Sequence, residues 1–247
     1  MKKILTLLLF ILLLPVIGFS QSIMSWNIQN LGQTKFKRDT IVPHIATVMR
    51  KSGADIIAIQ EVVTRQYGDS CVIQLAKMMD FNYIISEPTT GNGSERYAFL
   101  WRKDIKLNFA KLDKDLEDVI DREPFVGSFN YKGKDIVLRQ VHLVPTAKNP
   151  KKEVVHLYKY KDGIICGDFN LSCKDPVYTP LLSNFNTSGF CGKGTSLKRD
   201  GTISLNNYDH FFVGKEHKIK ESKVYFYDYK WNRNSLSDHL PIILILK

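Results

Sequence analysis

The chain has 247 residues, enough for one large domain with a sizeable core. Hydrophobic residues make up 44% and charged residues 24%, the balance of a soluble globular protein, with no repeat, low-complexity tract or internal linker. A formal net charge of +10 favours a polyanionic partner, such as nucleic acid or an anionic surface, although basic exported proteins are common.

Residues 1–20 stand apart. Lys2 and Lys3 precede an apolar stretch from Ile4 to Phe19, broken by Thr6, Pro15 and Gly18. Gly18 and Ser20 offer small residues just before a cut at Gln21, the layout of a secretory signal peptide. The stretch is shorter than the roughly 20 residues that span a bilayer. The first cysteine is Cys71, far from the cut, which argues against a lipid-anchored N-terminus. The expectation is a signal peptide over 1–20, a periplasmic or secreted monomer over 21–247, and no stable membrane insertion. Cleavage removes two lysines and no acid, lowering the formal charge from +10 to +8. Much of the remaining excess gathers at 148–152, 193–199 and 215–223.

Apolar periodicity then sets the elements in chain order. A strand is expected over 22–27, followed by a helix over 40–51 with Ile41, Ile45, Val48 and Met49 on one stripe and Gly53 at its end. The continuous apolar run at 55–60 reads as a buried strand that leads straight into Glu61. A helix over 71–79 precedes strands at 83–86 and 97–101, joined by a TTGNGS loop. Strands at 126–131 and 135–142 turn at Lys132-Gly133, and a short helical piece lies near 152–157. Further strands are expected at 164–166, 209–213, 218–224 and 242–246. Strands outnumber helices and both are spread along the chain, which predicts an α/β or α+β sandwich.

Several of these runs end or begin in a polar group. SWN ends at Asn27, IAIQE at Glu61, and VLRQVHLVP carries His142. GIICGDFN ends at Asp168 and Asn170, two positions apart and able to face one point from extended chain, with Phe169 turned back to the core. YDHFFV opens with Asp209, and SDHLPI with Asp238 and His239. One polar terminus is a turn; six, all drawn from Asn, Asp, Glu and His, are what one rim of a sheet needs for a metal site. Carboxylate and amide oxygens favour hard cations such as Mg²⁺, Mn²⁺ or Ca²⁺. Two histidines suit proton transfer near neutral pH. No cysteine or lysine stands as an evident nucleophile, so the set points to water attacking a phosphate ester.

These segments make a resemblance specific. SWNIQNLG, IQEV, SERYAFLW, DREPFV, VHLVP, GDFN, YDHFFV and SDHLP occur in order between residues 23 and 246. The chain resembles the endonuclease/exonuclease/phosphatase superfamily, most closely its deoxyribonuclease I branch. The resemblance implies a four-layer α/β/β/α sandwich of two packed, mostly antiparallel sheets with the site at one end. It implies Glu61 as principal metal ligand with Asn27 beside it, Asp238 supporting the metal region, and Mg²⁺ or Mn²⁺, with Ca²⁺ a further option. Asp168 and Asn170 would hold the scissile phosphate, a second metal or the attacking water. His239, oriented by Asp209, would act on the water. His142, oriented by Glu95, would serve the leaving oxygen, and Arg122 would contact a backbone phosphate. The division of acid and base between the two histidines stays open.

The match has departures. Val63 stands where the family places a groove-inserting arginine, with Arg65 two residues on, and Gly93 replaces a groove-stacking tyrosine. Lysines in 193–199 and 215–223 are the available replacements. Cys173 and Cys191 lie in loop-like sequence and are the expected disulfide, while Cys166 sits in an apolar strand as a buried thiol. The family partner of Cys173 falls near Asn206, so a bridge here needs Cys191 instead.

The leading expectation is therefore an exported, metal-dependent endonuclease of low sequence preference. Its substrate is DNA, double-stranded first, with single strands or RNA as variants. The alternatives are a phosphatase or a sphingomyelinase-like phosphodiesterase with an apolar membrane contact, for which the aromatic stretch 224–231 is the place to look, or a non-catalytic nucleic-acid-binding homologue.

Overall fold

β-Branched and aliphatic runs such as Ile56-Ile57-Ala58-Ile59 and Ile242-Ile243-Leu244-Ile245-Leu246 suit a pleated surface covered on both sides. In a computed structural model that describes residues 20–65, 67–91, 95–226 and 236–247, such runs become the sheet centres. The expected signal segment lies outside the described residues, as do Gly93 and most of the aromatic stretch 224–231.

In chain order the elements are β1 (Ser22–Leu31), α1 (Gln33–Phe36), α2 (Ile41–Ser52), β2 (Ile56–Val62), α3 (Gly68–Met79), β3 (Phe81–Ile85), β4 (Arg96–Arg102) and β5 (Lys106–Leu112). Then come β6 (Phe125–Tyr131), β7 (Lys134–His142), α4 (Lys151–Val154), β8 (Ile164–Asp168), β9 (Phe185–Thr187), β10 (Asp209–Gly214), β11 (Ile219–Val224) and β12 (Ile242–Leu246). Among the described residues they form two six-stranded sheets, ordered β11-β12-β1-β2-β4-β3 and β5-β6-β7-β8-β10-β9. Each sheet is antiparallel except for one parallel pair near its centre, β1–β2 and β7–β8.

Three apolar layers hold these sheets. Ile23, Ala58, Phe99, Phe129, Leu138 and Phe211 fill the space between them. The stripe of α2, closed by Gly53 in the left-handed region (φ 69°), packs with α3 on the outer face of the first sheet. Each fully buried Ile or Val there contributes roughly 1.5–3 kcal/mol. Short 3₁₀ turns and α4 cover the second sheet, where Leu157, Tyr178 and Leu181 meet Ile165 and Phe212. The four-layer α/β/β/α sandwich is thus present, with an outer layer on the second sheet made of single turns. β5 and β9 were not apparent in the sequence: β5 is a mostly exposed edge strand and β9 has three residues.

The period of two along each strand positions the site. In β7, Ile136 and Leu138 face the space between the sheets, and the same parity carries Gln140 and then His142. In β8, Ile164 and Cys166 face inward and Asp168 follows; in β10, Phe211 and Val213 face inward and Asp209 precedes them. In β1, Ile23 faces inward, followed by Ser25 and Asn27. The inter-sheet filling therefore changes along its length. It is apolar in the middle. It then passes through a polar layer in which Gln60 Nε2 donates to Gln140 Oε1 at 2.9 Å and Gln140 Nε2 to the Ala98 carbonyl at 2.8 Å. It ends in acids, an amide and a histidine at the rim.

Candidate active site

Glu61 is out of phase with this pattern. Ile57 and Ile59 face the helix layer, so regular alternation would send Glu61 there too. Its φ of 61° instead bends β2, and the β1–β2 and β2–β4 registers shift at this point. Such bulges re-aim a side chain. The left-handed backbone of a non-glycine costs about 1–3 kcal/mol and is held here by the neighbouring chain. Asn30, also at positive φ, donates its backbone N–H to Glu61 Oε2 at 2.9 Å.

Asn27 ties the two sheets together at the rim. Its Nδ2 donates to Glu61 Oε1 at 2.8 Å and to Asp168 Oδ2 at 3.1 Å. Two histidines face the same acid. His142 Nε2 lies 3.6 Å from Asp168 Oδ2 and 3.8 Å from Glu61 Oε1, and His239 Nε2 lies 3.5 Å from Asp168 Oδ2. Each ring is turned by a carboxylate on its other nitrogen: Glu95 Oε1 lies 2.6 Å from His142 Nδ1, and Asp209 Oδ2 lies 2.8 Å from His239 Nδ1. Glu61, Glu95, Arg122, His142, Asp168, Asn170, Asp238 and His239 all line one cleft of about 700 Å³. Asn27 and Asp209 stand buried just behind it.

Charges follow from this packing. Burial opposes a charged imidazole, yet Glu95 and Asp168 outweigh it and raise His142 above its ordinary value. For His239, burial is again outweighed, by Asp209 and Asp168, and the imidazolium is strongly favoured. Asp168 is raised by its own burial and by Asp209, against the pull of both histidines. Glu61 is also penalised by burial, but His142, Asn27 and the Asn30 amide bring it below the usual glutamate value. The neighbouring carboxylates thus favour the imidazolium form of both histidines.

The donor set suits a hard divalent cation. Glu61 Oε1 and Asp168 Oδ2 share the Asn27 Nδ2 donor, so both oxygens reach the same small volume; Asn27 would add a ligand there by turning its Oδ1, which here accepts from Gln29 N–H, toward them. Among the described residues the tightest His/carboxylate group is a different one, Asp168, Asp209 and His239, with donor atoms within 4.8 Å of one another. There both ring nitrogens of His239 face carboxylates, a geometry that an imidazolium satisfies by itself. The Glu61–Asn27–Asp168 side is therefore the better cation seat. Asp238 lines the cleft beside His239 and helps to raise that histidine.

Arg122, expected to contact a backbone phosphate, reaches the cleft from a buried position. It is only 7% exposed, its Nη1 donates to the His142 carbonyl at 3.1 Å, and its Nε lies 3.3 Å from Glu95. It lines the cleft while bracing the His142–Glu95 pair. Asn170, at φ 50°, donates its backbone N–H to Asp168 Oδ1 at 2.8 Å and its Nδ2 to the Leu143 carbonyl at 3.0 Å. Arg65 and Val63 both line the cleft. Arg96, a possible local partner for Glu95, pairs with Asp69 instead. His210 is structural: its Nε2 donates to the Leu171 carbonyl (2.7 Å), and burial lowers it to about 4.

The family model described as endonuclease/exonuclease/phosphatase family matches residues 24–239. The chain belongs to this family. Deoxyribonuclease-1-like 1 of Sus scrofa is 30% identical over 187 residues, covering 68% of this chain and 58% of the pig protein. The chain thus spans less than two thirds of that relative. A deoxyribonuclease of Thioalkalivibrio sp. (strain K90mix) is 26% identical over 283 residues, with 97% of this chain and 75% of that protein covered. Among solved structures, a mannosyl-6-phosphatase of Bacteroides thetaiotaomicron superposes with a TM-score of 0.69 at 17% identity, over 92% of this chain and 99% of that one. At that identity the likeness is one of fold.

Several family-site supports were not visible in the sequence. Thr195 is fully buried; its Oγ1 accepts from the Tyr208 and Asp209 N–H groups at 3.0 and 3.1 Å, and its carbonyl accepts from Leu240 N–H at 2.7 Å. It therefore clasps both sides of the Asp209–His239 pair. Ser237 Oγ donates to the Asn27 carbonyl and accepts from His239 N–H, and Trp26 Nε1 donates to the His239 carbonyl. Tyr97 hydroxyl accepts from the His142 N–H at 3.0 Å. A disulfide joins Cys173 to Cys191, and Cys71 and Cys166 are buried free thiols.

Proposed function

We propose that this protein is an exported, divalent-metal-dependent endonuclease that hydrolyses phosphodiester bonds in DNA with little sequence preference. The carrying observation is the convergence of two carboxylate-oriented histidines on Asp168, beside Glu61, in one open cleft. The basic chain and deoxyribonuclease relatives at 26% and 30% identity support DNA as the substrate.

Glu61, Asn27 and Asp168 would hold Mg²⁺ or Mn²⁺, which when bound neutralises the phosphate and stabilises the leaving oxygen. His239 takes a proton from the attacking water at Nε2 and Asp209 holds the ring through Nδ1. His239 has to be neutral at Nε2 to do so; Asp168 favours its imidazolium form, and a cation held by Glu61 and Asp168 would offset that charge. His142 gives its Nε2 proton to the leaving oxygen, with Glu95 behind it and Arg122 bracing both. Asn170 fixes Asp168 through its backbone N–H. Each positioned acid or base supplies about 10² to 10⁴ in rate.

The phosphatase fold neighbour keeps a phosphomonoester reading in play. A substrate panel separates the two: supercoiled plasmid, single-stranded DNA, RNA, sphingomyelin vesicles and a sugar phosphate, each with Mg²⁺, Mn²⁺, Ca²⁺ or EDTA. Nicking of plasmid with Mg²⁺ or Mn²⁺, abolished by EDTA, is the expected result. Turnover of the sugar phosphate alone would replace DNA as substrate.

A further inference from the structure

We propose that residues 193–206 form a stiff finger that grips a nucleic-acid duplex beside the cleft. This rests on the phosphodiesterase function proposed above. Three extended segments align on the His239 side. Ser196 pairs with His239 and Leu197 with Ile203, both antiparallel. Leu197 N–H donates to the Asp238 carbonyl at 2.7 Å, and Ser204 N–H donates to the Ser196 carbonyl at 2.8 Å. Two strand spacings, about 10 Å, thus separate Ser204 from the backbone of His239.

The finger is preorganised at both ends. At its root, the Cys173–Cys191 disulfide ties it to the segment that follows Asp168 and Asn170. A Cβ on Gly194 would stand 1.7 Å from the Ser204 carbonyl oxygen, so only glycine lets the two sides approach. At its tip, Gly201 turns at φ 83°, Lys198 N–H donates to the Thr202 carbonyl at 2.8 Å, and Asp200 Oδ1 accepts from Thr202 N–H and Oγ1. A finger already fixed in the free protein loses little entropy on binding.

Its surface has one character. Lys193, Lys198 and Arg199 are exposed, and the single acid, Asp200, is occupied by Thr202. Ile203 and Leu205, 48% and 92% exposed, flank Ser204 and so share one side of an extended strand. One exposed leucine is ordinary. Two apolar side chains on a pinned strand, with three cations and a catalytic histidine about 10 Å away, form a polyanion-binding edge with a wedge. Cations meet phosphates, and apolar side chains meet sugars and base edges of a minor groove. The finger would supply grip in a chain whose cleft has Val63 in place of an arginine.

The test uses retention of a short fluorescein-labelled duplex in EDTA, read by anisotropy, so that binding is measured apart from cleavage. The variants are Lys198→Ala/Arg199→Ala and Ile203→Ser/Leu205→Ser, with melting temperature as the fold control. Each should raise the duplex Kd about tenfold, and the charge variant should also lower the salt slope by about 2. If a double variant melts early, Arg199→Ala and Leu205→Ser singly give the same readout. An unchanged duplex Kd overturns the proposal, as does weakening seen only with single-stranded DNA or with anionic phospholipid vesicles. Failure of the wild-type protein to retain duplex overturns it too. Retention without any plasmid nicking would remove the endonuclease function and leave the finger standing.

Discussion

Nε2 of His142 and Nε2 of His239 lie 3.6 and 3.5 Å from the same atom, Oδ2 of Asp168. His142 ends β7 of the second sheet, His239 lies just before β12 of the first, and Asp168 ends β8, the parallel neighbour of β7. Each ring keeps its far nitrogen on a private carboxylate, Glu95 or Asp209. One buried acid thus couples the two imidazoles.

The coupling sets the pH behaviour of the metal-free protein. Both histidines bind protons more tightly folded than unfolded, because carboxylates outweigh burial. Their contribution to stability is therefore fully present below pH 6.5 and is lost as pH rises through each raised folded value. Asp209→Asn should move the His239 titration to lower pH and leave that of His142 little changed. Histidine C2-proton NMR in EDTA reads both. An unmoved His239 would contradict the dominance of Asp209.

His210 runs the other way. Burial takes it from 6.5 to about 4, so its stabilising effect is present above pH 6.5 and is lost as pH falls through 4. The full loss is about 3 kcal/mol. His210→Gln, which retains a donor for Leu171, should flatten the fall in melting temperature between pH 6.5 and 4. An unchanged acid limb would place that instability elsewhere.

Thr195 acts at one remove from the chemistry. Thr195→Val keeps the shape and strands two buried N–H groups, those of Tyr208 and Asp209, at about 1–3 kcal/mol each. We expect kcat on plasmid to fall more than KM rises, and Thr195→Ser to restore it. A stability loss with kcat intact would reduce Thr195 to a packing residue.

Metal should also act as a folding ligand. A cation that binds only the folded state raises stability by about 2.7 kcal/mol at 100 times its Kd. Mn²⁺ or Mg²⁺ should therefore raise the melting temperature of the wild type, and Glu61→Gln should diminish the rise. An equal rise in Glu61→Gln would move the cation to the Asp168–Asp209–His239 side.

Most of the framework was legible because burial on both faces leaves a plain signal. The run at 55–60 and the stretch Ile242–Leu246 have no polar face to confuse them. β5 escaped because its sequence, KLNFAKL, answers to an edge with solvent on one side. The candidate site was legible in residue type, since acids and histidines at strand ends break the apolar pattern they continue. Its supports were not. Thr195, Ser237, Trp26 and Tyr97 act through hydrogen bonds that mostly join segments distant in sequence, and nothing local distinguishes them from ordinary core or turn residues. Glu61 illustrates the limit: its place after IAIQ was plain, but the left-handed turn that aims it arises from paired bulges in two strands. The neighbours that bury Arg122, the His142 carbonyl and Glu95, were not readable from the sequence.

The most direct test is single-turnover nicking of supercoiled plasmid in Mg²⁺ by the wild type, His142→Ala, His239→Ala and Glu61→Ala. The wild type should nick, and each histidine variant, folded by circular dichroism, should be slower by about 10² to 10⁴. Glu61→Ala should need far more metal to reach any rate. Folded histidine variants that nick at the wild-type rate would mean that the chemistry is not done where these two rings meet.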